Sequence, residues 1–195
     1  DWQGSGGLQR AEQTSVDAAS VIRADATVAG DGGRVVVWAD DLTTFEGLIT
    51  ARGAGHGAGG DAEVSGKARL AYAGLTDLRA QDGTAGTLLL DPYDLTITTL
   101  PSFGLSGFSS AADSSNLNVG ALNLALTGAN IVVQTGSGGG QPGDITVLGQ
   151  IDIPNDRELV LRAHRNVNLG ANVNYLGSTS RFVVRADSDA NNDGT

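Results

Sequence analysis

Short runs of alternating apolar and polar residues recur at a constant spacing in the first half of the chain. Residues 34–53 (RVVVWADDLTTFEGLITARG) are overlaid without a gap by residues 61–80 (DAEVSGKARLAYAGLTDLRA), at an offset of 27. Apolar positions fall on apolar positions, and one glycine and one outward arginine of each copy keep their places. The matched pairs include Val35 with Ala62, Val37 with Val64, Phe45 with Tyr72, Gly47 with Gly74 and Arg52 with Arg79. A period of this length predicts a repeat architecture, in which each unit buries its apolar face against its neighbours.

Each repeat contains three strand-like segments, which in the first copy cover residues 34–39, 43–46 and 48–52. Alternation with a period of two assigns each side chain to one face of its strand. The residues predicted to face inward are Val35, Val37, Phe45, Ile49 and Ala51, and those predicted to face outward are Val36, Trp38, Glu46, Thr50 and Arg52. Three strands and three bends predict a roughly triangular turn of a solenoid.

The pattern continues towards the end of the chain. Leu88 and Leu90 extend the two inward rows, and residues 144–153 align with residues 166–175 at an offset of 22. One further strand row is formed by residues 130–135, 158–163 and 181–186, at offsets of 28 and 23. We therefore predict three regions: coils with the 27-residue repeat in residues 1–100, an irregular linker with a short helix in residues 101–128, and further coils in residues 129–195.

The predicted helix, near residues 114–127, interrupts the strand pattern. Its apolar residues Leu117, Ala121 and Leu124 are spaced at i, i+4 and i+7, which is typical of one helical face. An N-cap is available at Asp113, Ser114 or Ser115, and Gly128 is the expected stop. We expect this helix to cover exposed core or a strand edge.

Composition narrows the classes of function. The chain has 195 residues, 29 glycines, no cysteine and a net charge of −10, which argues against a nucleic-acid partner because phosphate binding needs clustered Lys and Arg. The absence of cysteine excludes disulfides and thiol chemistry. Neither a long apolar stretch nor a signal peptide is present, so Asp1 is interpreted as a position inside a longer chain.

Three consecutive segments carry a family resemblance: residues 30–53, residues 59–70 (GGDAEVSGKARL) and residues 85–97 (AGTLLLDPYDLTI). Together with residues 1–26 they resemble the filamentous haemagglutinin-like exoproteins, the secreted partners of two-partner secretion systems in Gram-negative bacteria. The resemblance implies a right-handed parallel β-helix, export through an outer-membrane partner pore, and a role as an extracellular adhesin or shaft. No match to the N-terminal secretion domain of that family is found, which favours an internal segment.

Acidic residues are the main candidates for chemistry, because parallel β-helices that act on polysaccharides use carboxyl groups as acid and base or to bind calcium. The candidates are Asp40, Asp41, Asp77, Asp91 and Asp94. Aspartates at strand ends commonly form Asx-turns, and the equivalents of Asp40 and Asp41 in the next repeat are Lys67 and Ala68. The two histidines, His56 and His164, flank unrelated turns. We therefore predict no catalytic, cofactor-binding or metal-binding residue and no cofactor.

One short motif is compatible with a metal site. Asp189, Asn191 and Asp193, with Asp187 just before them, fit the opening of a calcium loop. No acidic residue that could complete such a loop follows them in the sequence, and the same residues also suit a polar turn.

The predicted function is that of a non-enzymatic, secreted, surface-associated segment which serves as a rigid shaft and adhesive surface. Its expected partners are the secretion pore during export and receptors or glycans of host or neighbouring cells, met by outward residues such as Trp38, Arg52 and Arg79 and by the loops. One alternative is a subunit of a self-assembling extracellular filament or sheath. A second alternative is a polysaccharide-active β-helix enzyme.

Overall fold

The computed structural model describes residues 2–102, 114–138 and 140–194. Over these residues it is mostly β with one α-helix, which agrees with the predicted all-β class. A 3₁₀ turn covers Trp2–Gly4, and the helix α1 covers Val119–Gly128. The strands are β1 (Gln13–Val16), β2 (Val21–Arg23), β3 (Arg34–Ala39), β4 (Leu42–Phe45), β5 (Leu48–Thr50), β6 (Asp61–Gly66), β7 (Arg69–Tyr72), β8 (Leu75–Asp77), β9 (Thr87–Leu90), β10 (Leu95–Thr98), β11 (Ser115–Asn118), β12 (Asn130–Gln134), β13 (Ile145–Val147), β14 (Ile151–Ile153), β15 (Glu158–Arg162), β16 (Val167–Leu169), β17 (Val173–Tyr175) and β18 (Arg181–Arg185).

The longest sheet takes every third strand of the chain, in the order β18-β15-β12-β9-β6-β3, and all its pairs are parallel. Arg34 pairs with Asp61 and Phe45 pairs with Tyr72, so the offset of 27 is confirmed. The offsets of 28, 23 and 22 are confirmed in the same way by the pairs of β12 with β15, β15 with β18 and β13 with β16. The other sheets are β1-β4-β7, β2-β5-β8, β14-β17 and β11-β10-β13-β16.

One continuous hydrophobic core lies between these sheets, with members from Val35 to Ala163. Parallel pairing in register stacks equivalent side chains on each other, as in the rings of Phe45 and Tyr72, whose centroids are 5.7 Å apart with an angle of 10° between the ring planes. The five residues predicted to face inward are all buried. Thr50 was predicted to face outward but is also buried, and its hydroxyl is satisfied by donating to Asp25 Oδ2 at 2.9 Å.

The prediction of a helix is confirmed, but its start and its buried face were wrong. Ser115–Asn118 forms strand β11, and Asn118 is the N-cap, whose Oδ1 accepts from the N–H groups of Gly120 and Ala121. Leu117 is therefore a strand residue rather than part of a helical stripe. The helix buries Leu122, Ala125 and Leu126, while Leu124 is 53% exposed. Of the three predicted N-caps, Ser114 and Ser115 precede the helix without capping it, and Asp113 lies outside the described residues.

Strand β11 breaks the chain order of its sheet. It pairs with β10 on one side, Leu95 beside Ser115, and on the other side it packs along β7, where Leu70 N–H donates to Ser115 Oγ at 2.8 Å. The helix that follows lies between β8 and β14. Leu78 N–H donates to Gly128 O at 2.9 Å, and a Cβ at Gly128 would lie 2.2 Å from Thr76 O, so the helix must end with glycine where it meets β8.

The buried face of the helix is tested by a matched pair of substitutions. We expect Leu122→Ala to lower the free energy of unfolding by about 2–4 kcal/mol, because it leaves a cavity in the core. The control Leu124→Ala removes the same atoms from an exposed position and should change stability by less than about 0.5 kcal/mol. Urea denaturation measures both values, and equal effects of the two variants would contradict the observed orientation of the helix.

Candidate functional site

A polar row runs along the outer face of the long sheet. The strand register aligns Trp38 with Ser65, and Asp91 follows Leu90 into the same row beside Gln134 and Arg162. Gln134 Nε2 donates to Asp91 Oδ2 at 3.2 Å, and Arg162 Nη1 donates to Gln134 Oε1 at 3.1 Å. The row is therefore connected by hydrogen bonds from one repeat to the next.

Residues 2–12, here called the N-terminal strap, lie across this face near its first strands. Gln3 N–H donates to Glu63 Oε2 at 2.7 Å, and the guanidinium of Arg34 lies 5.0 Å from the centroid of the Trp2 ring. Gly4 has φ +60°, and a Cβ there would lie 2.8 Å from the ring of Trp38, so only glycine allows so close an approach. These contacts hold the strap against the sheet.

The strap covers a carboxyl group. Glu63 is fully buried and accepts from the hydroxyl of Ser65 at 3.0 Å in addition to the bond from Gln3. Burial raises the pKa of Glu63 above its usual value, against the effect of these two hydrogen bonds. The pKa of Asp91 is raised to about 7, first by burial and then by the negative charge of Glu63, while Gln134 and Arg162 oppose the shift. Two carboxyl groups thus share one weakly hydrated region.

A groove of about 290 Å³ opens beside the strap. We call it the strap groove; the residues that matter below are Arg10, Trp38, Lys67, Asp91, Tyr93 and Ser137. One wall comes from the strap and the end of β6, and the opposite wall comes from the turn after β9 and the loop after β12. Gly136 N–H donates to Pro92 O at 3.2 Å, which joins this loop to the turn. Aromatic rings, cations and one carboxyl group therefore converge on a single depression.

The other candidate aspartates already have structural partners. Asp41 binds Arg69 through three hydrogen bonds, Asp40 pairs with Arg10, and Asp94 accepts from the N–H groups of Gly143 and Asp144. Asp77 binds Arg52 at 2.8 Å and Arg79 at 2.7 Å. The hydrogen bond from Arg79 is the main reason that the pKa of Asp77 is lowered to about 2.

Both predicted outward arginines, Arg52 and Arg79, are thus held by Asp77, and only Trp38 among the three named outward residues lines the strap groove. Sequence reasoning missed Glu63, Lys67, Tyr93 and the strap as parts of this surface. Lys67 could have been singled out from the sequence, because it is the only lysine of the chain.

The predicted calcium-loop residues do come together. Carboxylate oxygens of Asp187, Asp189 and Asp193 lie within 4.8 Å of one another, and these are ligands of the type that calcium prefers. The same oxygens take part in the turn: Asp187 Oδ1 accepts from the N–H groups of Asn191 and Asn192, and Asn191 Nδ2 donates to Asp189 and Asp193. A polar turn accounts for this cluster without an ion.

The histidines remain apart from each other. His56 is exposed and lies 3.9 Å from Asp82, whereas His164 Nε2 lies 3.2 Å from Asp189 and 3.3 Å from Ser137 Oγ. His164 therefore connects the loop of Ser137, which lines the strap groove, to the turn of Asp189.

Comparison of the chain with protein-family models and with curated proteins finds no match. Among the described residues, the one α-helix has 10 residues, and no helix is long and apolar enough to cross a membrane.

The raised pKa of Asp91 predicts a specific pH dependence of stability. The folded state holds the proton of Asp91 up to a pH of about 7, whereas the ordinary value is 3.8, so this carboxyl destabilises the fold as pH rises through that window. Asn cannot ionise, and its carbonyl can still accept from Gln134. We expect Asp91→Asn to be more stable than the wild type at pH 8, by about 2 kcal/mol, and equally stable near pH 4. Urea denaturation across this pH range measures the difference.

Asp77→Asn is the control with the opposite sign. Its carboxylate, whose pKa is lowered to about 2, stabilises the fold above pH 4 and loses that effect as pH falls towards 2. We expect this variant to be less stable than the wild type at pH 7, by about 1 kcal/mol. An Asp91→Asn variant that is also destabilised at pH 8 would contradict the raised pKa.

Proposed function

We propose that this chain is a right-handed parallel β-helix that serves as a rigid, non-enzymatic segment of an extracellular shaft with an adhesive surface. The observation that supports it is the long sheet, which takes one strand from each successive repeat and keeps them in register over six strands. A core that repeats along such a sheet can continue through any number of repeats at about 4.8 Å each.

The outer face supports the adhesive part of the proposal. Positions that share one inward row are uniformly apolar, whereas the outward row changes from Trp38 through Ser65 and Asp91 to Gln134 and Arg162. A uniform core with a variable exterior suits a scaffold that displays different chemical groups at regular heights.

The sequence resemblance to filamentous haemagglutinin-like exoproteins extends the proposal to location and partners. On that basis the segment leaves the cell through an outer-membrane partner pore and meets receptors or glycans outside a Gram-negative bacterium. The lack of cysteine and the net charge of −10 are compatible with this role and unfavourable to binding nucleic acid.

The proposal is tested on the natural gene product at its full length and on the chain itself. Electron microscopy should show a thin fibre that lengthens by about 4.8 Å for each repeat in the sequence. Beads coated with the chain should adhere to cells, and beads coated with the heat-denatured chain should not. A compact particle instead of a fibre, or equal adhesion by both kinds of bead, would contradict the proposal.

The exposed apolar residues beyond β15 favour self-assembly as a second candidate. Phe182 and Val184 continue the inward rows of Leu159 and Leu161, yet Val184 is 43% exposed, and β15 is the only partner of β18 among the described strands. An open strand edge beside apolar side chains can pair either with a further repeat of the same chain or with a second copy. In this case sedimentation should detect oligomers that grow with concentration, and Val184→Lys should abolish them; a strict monomer would exclude this candidate.

Asp91 is the observation that favours an enzyme acting on polysaccharides, because a carboxyl with a pKa of about 7 is suited to donate a proton at neutral pH. Glycoside hydrolysis needs a second carboxyl at the substrate, however. Glu63 is fully buried and bound by Gln3 and Ser65, so Asp91 is the one acidic residue of the described chain that lines the strap groove. The groove therefore favours binding over turnover.

A further inference from the structure

We propose that the strap groove binds one pyranose unit that carries a carboxylate, as in the uronic-acid residues of acidic polysaccharides. This inference deepens the adhesive role proposed above and rests on it for its biological setting. It assigns that role to one site and one class of ligand.

The size of the groove suits a single sugar ring. Its volume of about 290 Å³ lies at the lower end of the range for small-molecule sites, so it accommodates one ring with its substituents better than a chain of rings. The strap on one side and the loop at Ser137 on the other limit its width, and adjoining sugar units would extend out of it into solvent.

Two aromatic side chains, Trp38 and Tyr93, line the groove. Both are half-buried, and Gly4 packs against the edge of the Trp38 ring, so the indole is held in place before any ligand arrives. Trp38 Nε1 is buried and has no hydrogen-bond partner among the described residues. The apolar face of a pyranose ring packs well on aromatic ring surfaces.

The groove also collects positive charge in a chain that is acidic overall. Lys67 is the only lysine, it is exposed, and no carboxylate of the described residues pairs with it. Arg10 supplies a second cation from the strap, although it also binds Asp40. A free ammonium group beside aromatic rings favours a ligand with an anionic substituent over a neutral sugar.

Asp91 and Ser137 supply the polar contacts that sugar hydroxyls need. Gln134 fixes one oxygen of Asp91, and the carboxyl group lines the same groove as the hydroxyl of Ser137. The charged groups that act on Asp91 are Glu63 and Arg162 on neighbouring strands. Arg10 and Lys67 line the same groove. When Asp91 is protonated it donates a hydrogen bond to a hydroxyl and does not repel a carboxylate ligand.

The test is titration of the purified chain with trigalacturonate, followed by isothermal calorimetry and by NMR shifts of the groove residues. We expect saturable binding with a Kd of about 0.1–1 mM, which corresponds to about −5 kcal/mol and is typical of one small polar site. Trigalactose, the matched neutral sugar, should bind at least 10-fold more weakly. Absence of saturation at 10 mM trigalacturonate, or equal affinity for both sugars, would overturn the proposal.

Variants locate the binding. Lys67→Ala, at an exposed position, should weaken trigalacturonate binding about 10-fold and leave trigalactose unchanged, whereas Trp38→Ala should weaken both. Arg181→Ala removes the same charge from β18 and is the control, for which we expect no change. Circular dichroism checks that each variant is folded. If Arg181→Ala reduces the affinity as much as Lys67→Ala, the ligand follows net charge and the groove is not its site.

The pH dependence provides an independent readout. The sugar carboxylate ionises at about pH 3–4 and stays charged above that, so a change between pH 5.5 and pH 8 reports on the protein. We expect tighter binding at pH 5.5 in the wild type and no difference in Asp91→Asn. A pH dependence of unchanged size in Asp91→Asn would show that Asp91 is not its source and would overturn the part assigned to its proton.

Bead adhesion separates this inference from the proposed function. If the chain binds trigalacturonate but the coated beads do not adhere to cells, the result supports the ligand site in the groove and contradicts the adhesive role. If the beads adhere and Lys67→Ala beads adhere equally well to the same cells, the adhesive surface lies elsewhere and this inference fails alone.

Discussion

Parallel pairing of equivalent residues is the constraint on which the rest of this structure depends. Because side chains alternate between the two faces of a strand, a slip of one residue would turn an entire inward row out to solvent. Val35, Ala62, Leu88, Ile131 and Leu159 form one such row, in which every residue is buried. The same register sets the outer row, so the positions of Trp38, Asp91 and Arg162 follow from the packing of the core.

The inserted strand β11 and helix α1 show how the register tolerates an interruption. An α-helix with its side chains is about 10 Å across, close to twice the spacing of 4.8 Å between neighbouring strands. The helix fills the space between β8 and β14, and the strands β11 and β10 together fill a similar height between β7 and β13. In the long sheet, the single strand β9 lies between β6 and β12 at the same height. The insertion therefore adds height on two sides only, and its residues must compensate by packing closely, as Gly128 does against β8.

Features governed by local periodicity could be predicted from the sequence, and those governed by distant contacts could not. The strand bounds of β3 and the offset of 27 follow from alternation and repetition. The helix start was misplaced because Leu117 is buried equally well by a strand, which no spacing rule distinguishes. Glu63 is covered by Gln3, which is 60 residues away in the sequence. Because Gln3 precedes the first repeat, the overlay of the repeats could not predict this burial. Asp91 resembles four other candidate aspartates in sequence and differs from them only in its surroundings.

The arrangement of charge explains why one part of an acidic exterior suits an anionic ligand. Arg69, Arg79 and Arg165 are each neutralised by an aspartate, mostly one from a neighbouring repeat. Such pairs at partly exposed positions add little stability individually, but they remove those cations from reach of a partner. No aspartate of the described structure pairs with Lys67. Trp38, on the outer face of β3, lines the same groove. Many basic residues of the repeats are thus paired internally, and the proposed recognition uses the position at which the repeat pattern changes, where Asp40 and Asp41 in one copy are replaced by Lys67 and Ala68 in the next.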